Sequence, residues 1–252
     1  AKEIHKNLSL KPGKIVPLIA ETGGLNTMIV DSSALLERAC DDVMRSAFNS
    51  AGQRCSALRL LLVHQEVYEE FVAMLKGAMN DLTIGIPDDL GTDIGPIITF
   101  DAVEKLNNYL SKMKTDGHSL FQVPGHTVPS GGSWISPTLI ELELNSMPNE
   151  EQFGPILHVA SFSEDKLVDF LKLIDAKGFA LTFGIHTRID AKAINVAKQT
   201  ASGNIYINRD IVGAVVETQP FGGKNLSGSG FKAGGPNYLL QFMDERVISV
   251  NT

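Results

Sequence analysis

Apolar and polar residues follow two rhythms along this chain: stretches with an apolar residue every third or fourth position, and short dense apolar runs. The first rhythm predicts amphipathic helices and the second buried strands. Residues 1–10 read as a short helix, broken by Lys11-Pro12-Gly13, and 15–20 read as a buried strand. Asp31-Ser32-Ser33 offers a cap for a helix whose apolar positions Leu35, Ala39, Val43 and Ala47 recur every fourth residue. A strand follows at 58–63, then helices at 66–82 and 102–113, and a Gly/Pro/Ser-rich stretch through Ser133. Further strands are expected at 137–140, 156–162, 180–186 and 204–208, with helices at 163–176 and 190–199 between them. Alternation of this kind argues for an α/β domain. From Phe221 to Pro236 the chain carries Gly222, Gly223, Gly228, Gly230, Gly234 and Gly235, which predicts a long irregular loop of the kind that often serves function.

Composition narrows the class. The 252 residues are 43% hydrophobic and 20% charged, with a formal net charge of −7, an ordinary globular balance. The acidic balance leaves no basic footprint for a nucleic acid, and no apolar run approaches the roughly 18 residues of a membrane span. Cys40, at a helix position, is expected to be a buried apolar residue. The six histidines show no paired ligand spacing and there is no CxxC, so no metal is expected; a serine-hydrolase GxSxG elbow is missing too.

Four segments offer chemistry. In Gly52-Gln53-Arg54-Cys55-Ser56-Ala57 a cysteine occupies a short polar turn, where local amides stabilise a thiolate if the sulfur is exposed; a packed, inert cysteine is the bland alternative. In Ala20-Glu21-Thr22-Gly23-Gly24 a carboxylate stands between an apolar run and two glycines, where a half-buried Glu serves as a general base; a surface acid is the alternative. In Glu151-Gln152-Phe153-Gly154-Pro155 a carboxylate beside an aromatic suits a sugar diol and a planar ring, or is simply an acidic turn. In Lys232-Ala233-Gly234-Gly235-Pro236 successive amides suit a carboxylate, or form a plain surface loop.

Glu21 lies 34 positions before Cys55, and Glu151 lies 96 after it. In this order the segments resemble the aldehyde dehydrogenase superfamily: Glu-x-Gly-Gly at Glu21–Gly24, Gly-Gln-x-Cys at Gly52–Cys55, Glu-x-Phe-Gly-Pro at Glu151–Pro155, and Pro220-Phe221-Gly222-Gly223 after the 204–208 strand. The flanking residues, among them 18–24, 50–59, 212–216 and 226–236, are similar to the 1-pyrroline-5-carboxylate dehydrogenase module of proline utilization A, and the likeness covers only the later part of such a module. The resemblance implies an aldehyde dehydrogenase-like three-layer α/β/α catalytic domain at 24–219. Before it, 1–23 would be the last helix and strand of the dinucleotide-binding domain. After it, 220–252 would be a substrate-anchor loop and an oligomerisation segment.

The same resemblance implies NAD-dependent oxidation of L-glutamate γ-semialdehyde, with Cys55 as nucleophile and Glu21 as general base. Glu151, Phe153, Thr22 and Gly23 would face the cofactor, and Ser56, Gly234, Gly235 and Phe242 the substrate. It further implies a small-molecule aldehyde as partner, a homo-oligomer and a cytoplasmic setting. FAD would belong only to a proline dehydrogenase module outside these residues. The glycine-rich cofactor loop of the family does not occur here, so the chain is expected to fold but to turn over poorly alone. A non-catalytic module and a different NAD(P)-dependent aldehyde dehydrogenase stay open as alternatives.

Overall fold

The computed structural model describes residues 1–124, 131–215 and 217–252. Part of the Gly/Pro/Ser-rich stretch and Val216 therefore lie outside the described residues. Helix α1 (Lys2–Leu10) leads by an extended segment to β1 (Thr27–Val30), followed by α2 (Leu36–Phe48), β2 (Leu60–His64), α3 (Tyr68–Asn80) and α4 (Phe100–Thr115). Next come β3 (Ser119–Gln122), β4 (Thr138–Glu141), β5 (Ile156–Phe162), α5 (Leu167–Ala176), β6 (Phe179–Ala180), β7 (Thr182–His186), α6 (Asp190–Gln199), β8 (Asn204–Ile207) and β9 (Lys224–Asn225).

Seven strands form one sheet in the order β3-β4-β5-β2-β1-β7-β8. Every neighbouring pair is parallel except β3 and β4. Side chains alternate across the pleat, so Met28 and Val30 of β1 join one apolar cluster and Ile29 the other. The first cluster takes in Ala39, Val43 and Ala47 of α2, Phe71 and Leu75 of α3, and Leu106, Leu110 and Met113 of α4. The second takes in Leu167, Phe170, Leu171 and Ile174 of α5, and Ala193 and Val196 of α6. Helices thus cover both faces of a mostly parallel sheet, which is the three-layer α/β/α arrangement expected. Cys40 is buried in the first layer, as its helix position predicts.

The structure corrects several expectations. Residues 15–20 are not a buried strand: they run without strand pairing, and Ile15 is 93% exposed. The first half of this run is exposed, and Ser229 ties down its second half: the Ser229 N–H donates to the Ala20 carbonyl at 2.8 Å, its Oγ donates to the Leu18 carbonyl at 3.1 Å and accepts from the Ala20 N–H at 3.1 Å. The central strand β1 lay unread between the double glycine and the next helix. A strand buried on both faces carries a continuous apolar run with no alternation to betray it. Asp31-Ser32-Ser33 is not a helix cap: α2 starts after Leu35 with no side-chain cap, and Leu35 itself is exposed. The Asp31 carboxylate instead accepts from Ser33 Oγ at 2.6 Å, from Thr187 Oγ1 at 2.8 Å and from Lys192. Burial works against its charge, yet these donors win and hold its carboxyl at about 2. The 180–186 strand is two pieces, with β6 leaving the main sheet to pair with β9.

Candidate active site

The candidate residues converge at one end of the sheet. Glu21 to Gly24 precede β1, Cys55 precedes β2, Glu151 to Pro155 precede β5, and the 220–235 loop closes over the start of β8. β5, β2 and β1 are adjacent strands in the parallel part of the sheet, so their N-terminal ends stand side by side, and β8 lies beyond β7 with the same direction. The expectation that the carboxylate follows a strand is therefore reversed: the reacting groups sit on the turns entering the strands.

The Cys55 turn is shaped by its backbone. Ser50, Ala51 and Gly52 adopt left-handed φ values of 57°, 54° and 65° in succession, a conformation costly for the two residues that carry a Cβ. Gly52 has no alternative, because a Cβ there would stand 2.2 Å from the Gly154 carbonyl oxygen. That contact presses the cysteine turn against the Phe-Gly-Pro turn. Gln53 braces it, donating to the Pro96 carbonyl at 3.0 Å and accepting from the Ile98 N–H at 2.9 Å. Asn26, just before β1, anchors it: its amide donates to the Cys55 and Ala57 carbonyls at 2.8 and 2.9 Å and accepts from the Thr182 N–H at 3.1 Å.

Cys55 is exposed, whereas Ser56 beside it is buried. Withdrawal of the sulfur from water raises the thiol above its ordinary value; the N–H groups of Ser56 and Cys55 oppose this, and the charges of Glu151 and Glu21 add to it. Both carboxylates are thus within electrostatic reach of the sulfur. Expected thiolate stabilisation by local amides is present but outweighed. Glu21 is exposed rather than half-buried, and its backbone bridges to Gly228. Thr22 locks the same edge to the late loop, its hydroxyl donating to the Leu226 carbonyl at 2.5 Å.

Glu151 is largely enclosed and its carboxyl is raised by burial, against the pull of the Arg59 charge and hydrogen bonds and the Gly24 backbone. One carboxylate oxygen faces Gly23 so closely that a Cβ there would meet it at 1.7 Å. Phe153 stays 44% exposed, with the Arg59 guanidinium 5.4 Å from its ring centre. Enclosed carboxylate, bare glycine and open aromatic face suit a ribose diol and a planar ring, so the residues present fit a nicotinamide nucleotide.

The expected anchor residues are arranged less evenly. Gly234 has φ +70° and open space where a Cβ would be. The Gly235 N–H already donates to the Lys232 carbonyl at 3.0 Å, so it is not free in this conformation. Phe242 is exposed and packs edge-on to Tyr238, ring centres 5.3 Å apart.

Three residues left without a role in the sequence reading organise the site: Asn26, Arg59 and Lys232. The Lys232 ammonium donates to the Gly203 carbonyl, to Asn204 Oδ1 at 2.6 Å and to the Gly222 carbonyl at 3.0 Å, pinning the late loop to β8. Arg59 was legible as a charge inside the apolar run Ala57-Leu58-Arg59-Leu60-Leu61, a position that demands a buried partner.

Comparison with known proteins decides the family. The pattern described as "Aldehyde dehydrogenase family" matches residues 1–248. The chain belongs to the aldehyde dehydrogenase family. Relatives include the bifunctional protein PutA of Klebsiella aerogenes, 46% identical over 239 residues, covering 93% of this chain but 18% of PutA. The 1-pyrroline-5-carboxylate dehydrogenase of Bacillus subtilis is 35% identical over 247 residues, covering 95% of this chain and 47% of that enzyme. Among solved structures, a Bradyrhizobium japonicum proline utilization A variant superposes with a TM-score of 0.90 at 46% identity, covering 96% of this chain and 24% of that one. The chain therefore spans under a fifth of the PutA relative and about half of the dehydrogenase. Its fold is that of the family, and no helix among the described residues is long and apolar enough to cross a membrane.

Proposed function

We propose that this chain supplies the nucleophile and general base of an NAD-dependent dehydrogenase that oxidises L-glutamate γ-semialdehyde to L-glutamate in proline catabolism. The observation that carries the reading is the placement of Cys55, Glu21 and Glu151 on neighbouring turns at one end of the sheet, both carboxylates acting on the sulfur. Similarity to PutA and to 1-pyrroline-5-carboxylate dehydrogenase supports the substrate.

In this reading the Cys55 thiolate attacks the aldehyde carbon, and its own N–H donates to the resulting oxyanion; a donor of this kind is worth about 3–4 kcal/mol in acyl chemistry. NAD+ bound there would accept the hydride, leaving a thioester on Cys55. Glu21 removes a proton from water, the hydroxide adds to the thioester carbon, and the C–S bond breaks to release thiolate and the carboxylic acid, which loses its proton to solvent. Covalent catalysis divides one difficult step into two easier ones. Glu151 holds the nicotinamide ribose, Phe153 flanks the ring, and Thr22 and Gly23 complete that wall. Ser56 and the amides of Gly234 and Gly235 take the substrate carboxylate, the Gly235 N–H by exchanging its bond to Lys232, and Phe242 packs on the methylenes.

The proposed division is 1–23 with a dinucleotide-binding domain, 24–219 as the catalytic domain and 220–252 as anchor loop and oligomer segment of a cytoplasmic homo-oligomer. Because the chain spans about half of the dehydrogenase relative, it is expected to produce little NADH by itself. Its own test is thiol labelling. Iodoacetamide is expected to modify Cys55 and spare Cys40, which is buried and whose thiol burial pushes up to about 11. L-Glutamate γ-semialdehyde is expected to protect Cys55, and glutamate to compete with that aldehyde. Labelling of Cys55 that the aldehyde leaves unchanged would count against the proposal.

A further inference from the structure

Arg59 has no solvent exposure, an unusual place for a guanidinium, which keeps its charge in proteins and so must be paired. Its Nε and Nη2 both donate to one oxygen of Glu151, at 3.3 and 3.0 Å. Its Nη1 donates to the Gly154 carbonyl at 3.0 Å, and Nη2 also reaches the Arg54 carbonyl at 3.2 Å. The Phe153 ring lies over the same group. One planar cation therefore touches the carboxylate, aromatic and glycine of the Glu151–Pro155 turn, and the residue just before Cys55. Its backbone is fixed as well: the Arg59 N–H donates to the Asn26 carbonyl at 2.9 Å, and the Arg59 carbonyl accepts from the His158 backbone N–H at 3.0 Å.

His158 completes the mount. Its Nδ1 lies 2.9 Å from the Arg59 carbonyl oxygen and its Nε2 lies 2.7 Å from the Tyr109 hydroxyl. Burial, with the charges of Arg59 and His118, pushes this imidazole down to about 4, against the hydrogen bond to Arg59. The ring is therefore neutral near pH 7, with Nδ1–H donating to the carbonyl and Nε2 accepting from the tyrosine.

We propose that Arg59 is the positioning residue of this site: its guanidinium sets where Glu151 and Phe153 stand and balances the negative charge that Glu151 places beside the Cys55 sulfur. Arg59 does not touch a reacting atom in this role; it acts through Glu151 and the Cys55 turn. The charges of Glu151 and Glu21 raise the Cys55 thiol, and a charge on Cys55 in turn favours the Arg59 cation. Arg54 shares the turn but spends its Nε on Ser50 Oγ at 2.9 Å. The roles of Glu151 and Cys55 rest on the function proposed above; the charge coupling among the three side chains does not.

The test is the pH dependence of iodoacetamide alkylation at Cys55, read on the Cys55 peptide by mass spectrometry. It needs neither aldehyde nor cofactor, so it fails or succeeds separately from the dehydrogenase reading. Removing the cation in Arg59→Met leaves Glu151 uncompensated and is expected to move the alkylation midpoint up by about one pH unit, a tenfold slower rate below the midpoint. Glu151→Gln is expected to move it down by a comparable amount. The double variant, with neither charge, is expected to return within about threefold of the parent rate, a pH-unit fraction small against either single shift. Arg59→Lys keeps the charge and is expected to keep the midpoint. A merely structural role leaves the double variant no better than Arg59→Met. Should circular dichroism show Arg59→Met unfolded, Glu151→Gln and Arg59→Lys decide. An unmoved midpoint in Glu151→Gln, a midpoint raised in Arg59→Lys as far as in Arg59→Met, or a double variant that does not recover overturns the proposal.

Discussion

Replacing Cys55 with alanine is expected to abolish aldehyde oxidation in an enzyme that joins this chain to a dinucleotide-binding half, lowering kcat by about 10⁴-fold or more, as removal of a covalent nucleophile does elsewhere. The size of the effect follows from the chemistry assigned to the sulfur. Without it no thiohemiacetal forms, so neither hydride release nor hydrolysis can begin. Alanine fits the turn without strain, because what holds the turn is not the thiol: Asn26 grips the backbone carbonyl of residue 55, and Gln53 braces the loop from the other side. Thermal stability is therefore expected to change little. Cys40→Ala is the contrasting variant, since that sulfur lies in the core; it is expected to lose stability and retain turnover. Assays of NADH formation beside thermal midpoints separate the two. Full turnover by Cys55→Ala would remove the nucleophile from the account.

The second large effect is expected at Gly52. Gly52→Val places a branched side chain at φ +65° and within the shell of the Gly154 carbonyl oxygen. Left-handed backbone alone costs about 1–2 kcal/mol for a residue with a Cβ, and the clash with backbone that cannot yield raises the expected loss to about 3 kcal/mol or more. The turn must move to relieve it, carrying Cys55 away from Glu151. Denaturant midpoints are expected to fall, and the alkylation rate of Cys55 to rise as the sulfur leaves its enclosed place beside the Glu151 charge. Ala51→Gly is the opposite change: it relieves a left-handed alanine at φ 54° and is expected to be neutral or slightly stabilising. A Gly52→Val protein with parent stability and parent thiol reactivity would show that the close approach of the two turns is not required.

Sequence periodicity reaches far into this fold, and its failures have physical causes. Strand β5 and helix α6 coincide with their predicted bounds because each is a regular pattern bounded by turn chemistry: Ile156–Phe162 after Gly154-Pro155, and Asp190–Gln199 beginning on an acid. Strand β1 escaped because Met28, Ile29 and Val30 are buried on both faces and so show no alternation. Residues 15–20 carry the composition of a strand, but composition does not supply a neighbour, and none of the described residues pairs along them. Asp31 looked like a cap because caps and ion-pair acids share residue types; Lys192, 161 positions away, claims it instead.

The site was legible as short motifs and illegible as a network. Glu21, Cys55 and Glu151 could be picked out because each sits in a distinctive local string. Arg59 shows in the sequence only as a charge in an apolar run; its partner stays hidden, because that is Glu151, 92 positions later, reached through a register that lays β2 beside β5. Asn26 is hidden the same way: its three side-chain hydrogen bonds reach Cys55 and Ala57 on the turn before β2 and Thr182 at the start of β7. Local sequence nominates groups that react, and only the sheet order shows which groups hold them in place.

One measurement bears on the whole mechanism at once. In Glu21→Gln, incubated with NAD+ and L-glutamate γ-semialdehyde in the joined enzyme, hydride transfer proceeds once and hydrolysis stalls. The account predicts about one equivalent of NADH per site and a glutamyl thioester on the peptide that contains Cys55, since the group that activates water has been removed while the nucleophile is intact. Steady turnover with no acyl group on that peptide, or an acyl group on any other residue, would contradict it.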